Sequence, residues 1–187
     1  MQAIERALED FIKIFENQGI AYAVMGGLAV RVHGIPRPTH DVDFTISVDR
    51  NALPACLKAI EQSGYTVPEM YWTGWVDRVA DLPLIKFRSY LDGGHGVDID
   101  VFLAESPFQK SVILRRQPLE VDGTKSWIVS PEDLILLKLI ANRPRDLSDI
   151  GDILFTQGSL DTEYLRLWAT NLGIAERLDF VLSNPPL

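Results

Sequence analysis

The sequence predicts an α/β domain that ends in a helical C-terminal part, and three observations carry the prediction. A strand-like run from Ile20 to Met25 passes through Gly26-Gly27 into a helix-like run from Leu28 to His33. Asp41-Val42-Asp43-Phe44-Thr45-Ile46 alternates polar with apolar side chains, as does Val97-Asp98-Ile99-Asp100-Val101, and each pattern marks a strand with one buried face. After Ser130-Pro131 the chain turns to helical patterns and stays there.

The elements follow in order. Ile4, Leu8, Phe11 and Phe15 lie at helical spacing with charges between them, and Gln18-Gly19 ends that helix before the first strand. The second strand runs from Asp41 to about Val48. Asp49 is the expected cap of a helix through Leu53, Leu57 and Ile60 to Gly64. Glu69 to Asp81 fits helix or loop equally; its Trp72 and Trp75 are candidates to wall a base pocket, against the commoner fate of packing. Leu84 to Leu91 and Val97 to Leu103 read as a hairpin joined by the glycine-rich Asp92–Gly96. A short helix follows Pro107, then an extended pair turning at Asp122-Gly123, with Trp127 to Val129 as its second arm.

The clearest helix start is Ser130-Pro131, with Ser130 as N-cap and Asp133 as the back-reaching acid of a capping box, where Glu or Gln is usual. Leu134 to Ile140 is apolar almost all round, so this helix is expected to be buried, and Lys138 within it needs a partner or a route to water. Two helices follow, Asp146 to Phe155 and Asp161 to Leu172, then a last short one from Ala175. Arg143, Asp146 and Asp149 read as helix-end caps and ion pairs. Residues 1–129 form the expected α/β core and 130–187 a helical part packed on it.

Hydrophobic residues make up 47% and charged residues 24% of the 187, the balance of a globular protein and not of a disordered one. The formal net charge of −8 argues against holding nucleic acid by bulk electrostatics. Arg31, His33, Arg37, His40 and the pair Arg115-Arg116 leave room for a local basic cleft, although each taken singly is a surface charge first. Cys56, the lone cysteine, belongs to a core position and forms no internal disulfide, in keeping with a cytoplasmic setting. Nothing resembles a signal peptide or a membrane span.

The chemistry concentrates in the acids and the glycines. Alternation puts Asp41 and Asp43 on one strand face and Asp98 and Asp100 on another, and carboxylates so close repel unless a cation, commonly a divalent metal, lies between them. An EF-hand loop is a poor alternative, because no glycine stands at the required place after Asp41 and no acid closes the loop. Gly26-Gly27 at a helix start offers free backbone N–H groups to phosphate.

Glycine pair, spacer, Asp-x-Asp and a later acidic strand together resemble the DNA polymerase β-like nucleotidyltransferase superfamily. The stretch Gly26 to Gly34 with Arg37-Pro38-Thr39-His40-Asp41-Val42-Asp43-Phe44 is similar to its small bacterial members, including abortive-infection toxins. Ser130 to Leu134, Lys138 and Arg143 to Ile150 resemble the C-terminal motifs of that group. The resemblance implies a small mixed, twisted sheet backed by helices. It implies transfer of a nucleotidyl group from a nucleoside triphosphate, with Asp41, Asp43 and Asp100 holding two magnesium ions and Asp98 the competitor for the third place. Asp100 is favoured because Asp100 to Pro107 resembles the third-strand motif and its exit into a helix. Gly26, Gly27, Arg37, Thr39 and Lys138 are the implied nucleotide contacts; for Lys138 a structural, acid-paired role weighs equally. The acceptor stays open between a tRNA end, a protein hydroxyl and a small molecule, and a cognate toxin or antitoxin is an implied partner. Rival readings are a noncatalytic binding or antitoxin-like protein and a metal-dependent hydrolase; three histidines make a histidine-rich metal set a poor fit.

Overall fold

The computed structural model describes residues 2–89 and 96–184. Its elements are α1 (Gln2–Asn17), β1 (Ala21–Met25), α2 (Gly26–His33), β2 (Asp41–Ser47), α3 (Leu53–Gln62), a 3₁₀ turn (Glu69–Thr73), β3 (Asp77–Val79), β4 (Leu82–Ser89), β5 (Val97–Leu103), α4 (Pro107–Arg115), β6 (Gln117–Val121), β7 (Thr124–Ile128), α5 (Pro131–Ala141), α6 (Pro144–Thr156), α7 (Thr162–Asn171) and α8 (Ala175–Ser183). The strands form one sheet in the order β3-β4-β5-β2-β1-β7-β6. It is mixed: β2 is antiparallel to β1 and parallel to β5, β7 is parallel to β1, and the outer pairs are antiparallel.

Alternation gives the sheet an apolar and an acidic face. Val42, Phe44 and Ile46 of β2 and Ile99, Val101 and Leu103 of β5 are buried together. Against them lies the apolar stripe of α1, with the Phe11 ring stacked on Phe44 at 6.0 Å and Phe15 edge-on to it at 5.2 Å. Removing one such ring costs about 3–5 kcal/mol, so this packing fixes which way β2 faces. Asp41, Asp43 and Thr45 therefore point to the other side, where α5 supplies Leu134 and Leu137 opposite Phe102. Helix α5 is buried along nearly its whole length, as its all-round apolar sequence requires.

Four local expectations need correction. Helix α2 starts at Gly26, two residues early, because Gly26 takes a left-handed φ of +62° that lets the chain turn directly out of β1. Asp49 does not cap α3 with its side chain: its backbone carbonyl accepts from Ala52 and Leu53, and the helix begins at Leu53. The Asp133 carboxylate does not reach back to a backbone N–H as a capping-box Glu would; it accepts from the Ser130 hydroxyl (2.8 Å) and from Tyr164 (2.6 Å). Both of its oxygens are taken by these hydroxyls. Finally, Asp77–Val79 forms β3, an extra edge strand. The expected turn at Asp92–Gly96 lies outside the described residues apart from Gly96.

Candidate active site

The parallel pairing of β2 with β5 sets Asp41 opposite Asp98 and Asp43 opposite Asp100. Neighbouring strands lie about 4.8 Å apart, so four carboxylates share one small area of sheet face. The row continues in both directions, to Met25 of β1 beside Asp43 and to Lys86 of β4 beside Asp100. Asp43 and Asp100 line the same pocket, of about 170 Å³, whose walls include Gly26, Lys86, Lys138 and Arg143 and the apolar Val79, Leu82, Leu137 and Ile140. A nucleotide needs more room than this, about 300–1,000 Å³ for an ordinary ligand site, so most of it would lie outside, toward α2. A wider groove of about 650 Å³ lies along residues 36–40 and holds none of the four strand acids.

Helix α2 points its N-terminus at this face, and no side chain caps it. The two glycines have distinct reasons to be there. A Cβ on Gly26 would lie 2.6 Å from Asp43 Cγ, and one on Gly27 would lie 2.8 Å from Thr39 Cβ. Thr39 is buried and its hydroxyl donates to Asp41 Oδ1. The loop bearing Pro36 and Pro38 thus delivers Thr39 both to the helix start and to the first acid of β2.

Three cations meet the aspartates of α6: Lys138 from α5, Arg143 from the turn before α6 and Arg37 from the loop before β2. Lys138 is buried and donates to Asp149 Oδ2 at 2.5 Å, with Asp146 Oδ1 at 3.4 Å. Arg37 grips Asp149 with two hydrogen bonds of 2.6 and 2.7 Å. Arg143 binds Asp146 through Nε (2.9 Å) and Nη2 (3.2 Å), while Asp146 also accepts from its backbone N–H. Burial alone would raise both aspartates, but the hydrogen bonds from these cations outweigh it and hold them below the ordinary carboxylate range. The expected capping and ion pairing at Arg143, Asp146 and Asp149 is therefore present. Lys138 faces the pocket with its charge already paired.

The acids of β2 and β5 sit in the opposite condition. Burial, then the charges of Asp41 and Asp100, push the Asp43 carboxyl up to about 7 against the partial relief of Arg143 and Lys138. Burial also raises Asp100, and Lys86 opposes that rise. Among the described residues no ion pair reaches Asp41 or Asp43, and no three acid, histidine or cysteine side chains converge closely enough to chelate an ion unaided. Uncompensated, all-oxygen donors on one face fit a magnesium ion whose remaining ligands are phosphate oxygens and water.

Asp98 is the more exposed acid of β5, with Arg88 Nε 3.5 Å from its Oδ1. Trp72 and Trp75 do not wall this pocket; they are exposed, and Trp75 stacks on Tyr71 at 6.2 Å. His33 is a core residue bonded to the Val129 carbonyl at 2.8 Å, and Arg31 pairs with Asp122. The feature not anticipated is the basic pair of β4. Lys86 and Arg88 alternate with the buried Ile85 and Phe87, a visible signal whose meaning depends on the register with β5.

A mixed sheet of this order, with acids on β2 and β5 and a glycine pair opening α2, fits the polymerase β-like nucleotidyltransferase fold that the sequence resemblance implies. Residues 2–176 match the family model described as "Nucleotidyltransferase of unknown function (DUF6036)", and the chain belongs to that family. The fold is similar to that of an antigenic nucleotidyltransferase-like protein from Paracoccidioides brasiliensis, at 23% identity and a TM-score of 0.63, over 98% of this chain and 89% of that one. It is also similar to ANT(2'')-Ia in complex with adenylyl-2''-tobramycin (15%, 0.56, 89% and 95%). A lincosamide antibiotic adenylyltransferase, LnuA, bound to lincomycin, is similar at 17% identity and a TM-score of 0.53, over 82% and 98%. At these identities the likeness establishes the fold. No curated protein matches the chain in sequence.

Proposed function

We propose that this nucleotidyltransferase moves a nucleoside monophosphate from a nucleoside triphosphate to an acceptor hydroxyl in a magnesium-dependent reaction. The observation that supports it most is the in-register alignment of Asp41 and Asp43 with Asp98 and Asp100 opposite the bare N-terminus of α2. In this reading the backbone N–H groups of Gly26 and Gly27 orient the triphosphate, with Thr39 and Arg37 bracing the loop that faces it. Lys138 and Arg143 line the pocket wall, each already paired with an aspartate of α6. Asp41 and Asp43 hold the ions between them, and Asp100 holds the one on the acceptor side. Magnesium supplies charge stabilisation for the leaving pyrophosphate and a lower pKa for the acceptor hydroxyl. The acceptor oxygen bonds to the α-phosphorus as the bond from that phosphorus to the pyrophosphate oxygen breaks.

A small-molecule acceptor is the favoured class within the same proposal, because a chain of net charge −8 has no bulk attraction for RNA. An RNA end and a protein hydroxyl are the other arms of the test. The likeness of the Gly26 to Phe44 stretch to abortive-infection proteins supports a defence setting with a cognate partner. Incubation with each labelled nucleoside triphosphate, with and without magnesium, and with RNA, protein and small-molecule fractions as acceptors, tests the reading. Label transferred only with magnesium is expected; release of phosphate without transfer makes the chain a hydrolase, and tight nucleotide binding without either makes it a binder.

Within that chemistry Asp100→Asn is expected to lower turnover at least about 100-fold while largely sparing triphosphate affinity, and Asp98→Asn to be milder. Parallel turnover and affinity measurements decide it: a dead Asp98→Asn with an active Asp100→Asn reverses the assignment.

A further inference from the structure

The acids of the two central strands are not equally supplied with counter-charge. Asp43 has no ion-pair partner among the described residues, whereas Lys86 Nζ lies 3.9 Å from Asp100 Oδ2, across the antiparallel β4–β5 ladder. The backbone that carries this lysine is held from behind. The Tyr71 hydroxyl accepts from the Lys86 backbone N–H at 2.9 Å and donates to Asp77 Oδ2 at 2.7 Å, so the 3₁₀ turn and β3 together fix this stretch of β4. The Lys86 side chain is about half exposed and lines the same pocket as Asp43 and Asp100.

An ammonium beside a carboxylate repels a divalent cation that seeks the same oxygens. We propose that Lys86 is a positioning residue that keeps the acceptor-side ion weak, so that the nucleotide-side ion at Asp41 and Asp43 binds first and the second ion binds stably only once the acceptor hydroxyl joins its shell. The inference rests on the magnesium-dependent reading given above. Its functional content is restraint: a triphosphate bound without an acceptor lacks the ion that would activate water in the acceptor's place. Solvent at Lys86 screens the repulsion, which sets the expected effect at about tenfold in ion affinity.

The test is a titration with manganese followed by the loss of its free-ion paramagnetic signal, in the presence of a nonhydrolysable triphosphate and no acceptor. The wild type is expected to bind one ion tightly and a second at least about tenfold more weakly. Lys86→Met and Lys86→Gln should each tighten the second ion about tenfold and leave the first unchanged, and Lys86→Arg should restore the wild-type pattern. A second-ion affinity within about twofold of wild type in both neutral variants, when folded by circular dichroism, overturns the role of Lys86. Asp43→Asn separates the two levels of the argument: loss of the tight ion there sustains the metal reading whatever Lys86 does, while a wild type that binds no manganese removes both.

Discussion

Gly26 is the position where the fold and the proposed chemistry press hardest on each other, and Gly26→Ala measures that pressure. The backbone there has φ +62°, which costs an alanine about 1–2 kcal/mol. The added methyl would also overlap the Asp43 side chain, 2.6 Å from its Cγ and 2.9 Å from its Cβ, so the carboxylate must leave its rotamer at a further cost of about 0.5–1.5 kcal/mol. Together these give a loss of about 1.5–3.5 kcal/mol, or about 3–14 °C in melting temperature for a chain of this size. The larger effect falls on activity, because an acid displaced by about 1 Å or more costs about 100-fold in turnover. Gly74→Ala is the matched control: its φ of +85° carries the same kind of backbone cost, yet nothing lies within 4 Å of the added methyl. Thermal melts and label-transfer rates on both variants should show comparable backbone destabilisation but inactivity only for Gly26→Ala. Wild-type turnover in a folded Gly26→Ala would refute the argument that this glycine exists to make room for Asp43.

Gly27→Val should weaken triphosphate binding at least about tenfold by isothermal titration, since its Cβ would press on Thr39 where backbone must approach phosphate; unchanged affinity would reduce the glycine to a turn. Asp43→Asn should abolish magnesium-dependent transfer yet stabilise the metal-free protein at alkaline pH. A folded-state pKa raised to about 7 from 3.8 means that stability is lost as pH rises through that range, a deficit of up to about 4 kcal/mol above pH 7 that asparagine does not suffer. Urea melts in chelator should show the gap at pH 8 and its near disappearance at pH 4. Asp149→Asn should cost about 3–5 kcal/mol by leaving Lys138 and Arg37 short of charge in a buried setting. Because its carboxyl is held below the ordinary range, the wild-type advantage should persist at neutral pH and fade as acid protonates Asp149; an advantage that grows toward acid pH would contradict the ion-pair account.

The acidic face was legible from Asp41 and Asp43 alternating with Val42 and Phe44, because a period of two needs no tertiary knowledge. The same holds for Asp98 and Asp100, and Ser130-Pro131 marked its helix start to the residue. Strand β3 was not legible: three residues, Asp77 to Val79, are too few to show a period, and they pair only because β4 presents an edge. The network around Lys138 escaped for a different reason. Its partners Asp146 and Asp149 lie on the next helix, and nothing in their spacing reveals that Arg37, 112 residues away from Asp149, completes it. Lys86 shows the same limit, since a lysine on a strand acquires meaning only when the neighbouring strand's register is known.

That register has a consequence for how errors in this protein are excluded. Sliding β2 by a single residue against β5 would turn Val42, Phe44 and Ile46 onto the acidic face and drive Asp41 and Asp43 in among Phe11 and Phe15. Each misplaced ring or ionised acid would be prohibitively unfavourable, so the greasy side of the strand acts as a ratchet for the side it never touches. The pairing of the four acids is thereby set by residues with no chemistry of their own, and the acids themselves are left free to change identity without loosening the frame that aims them.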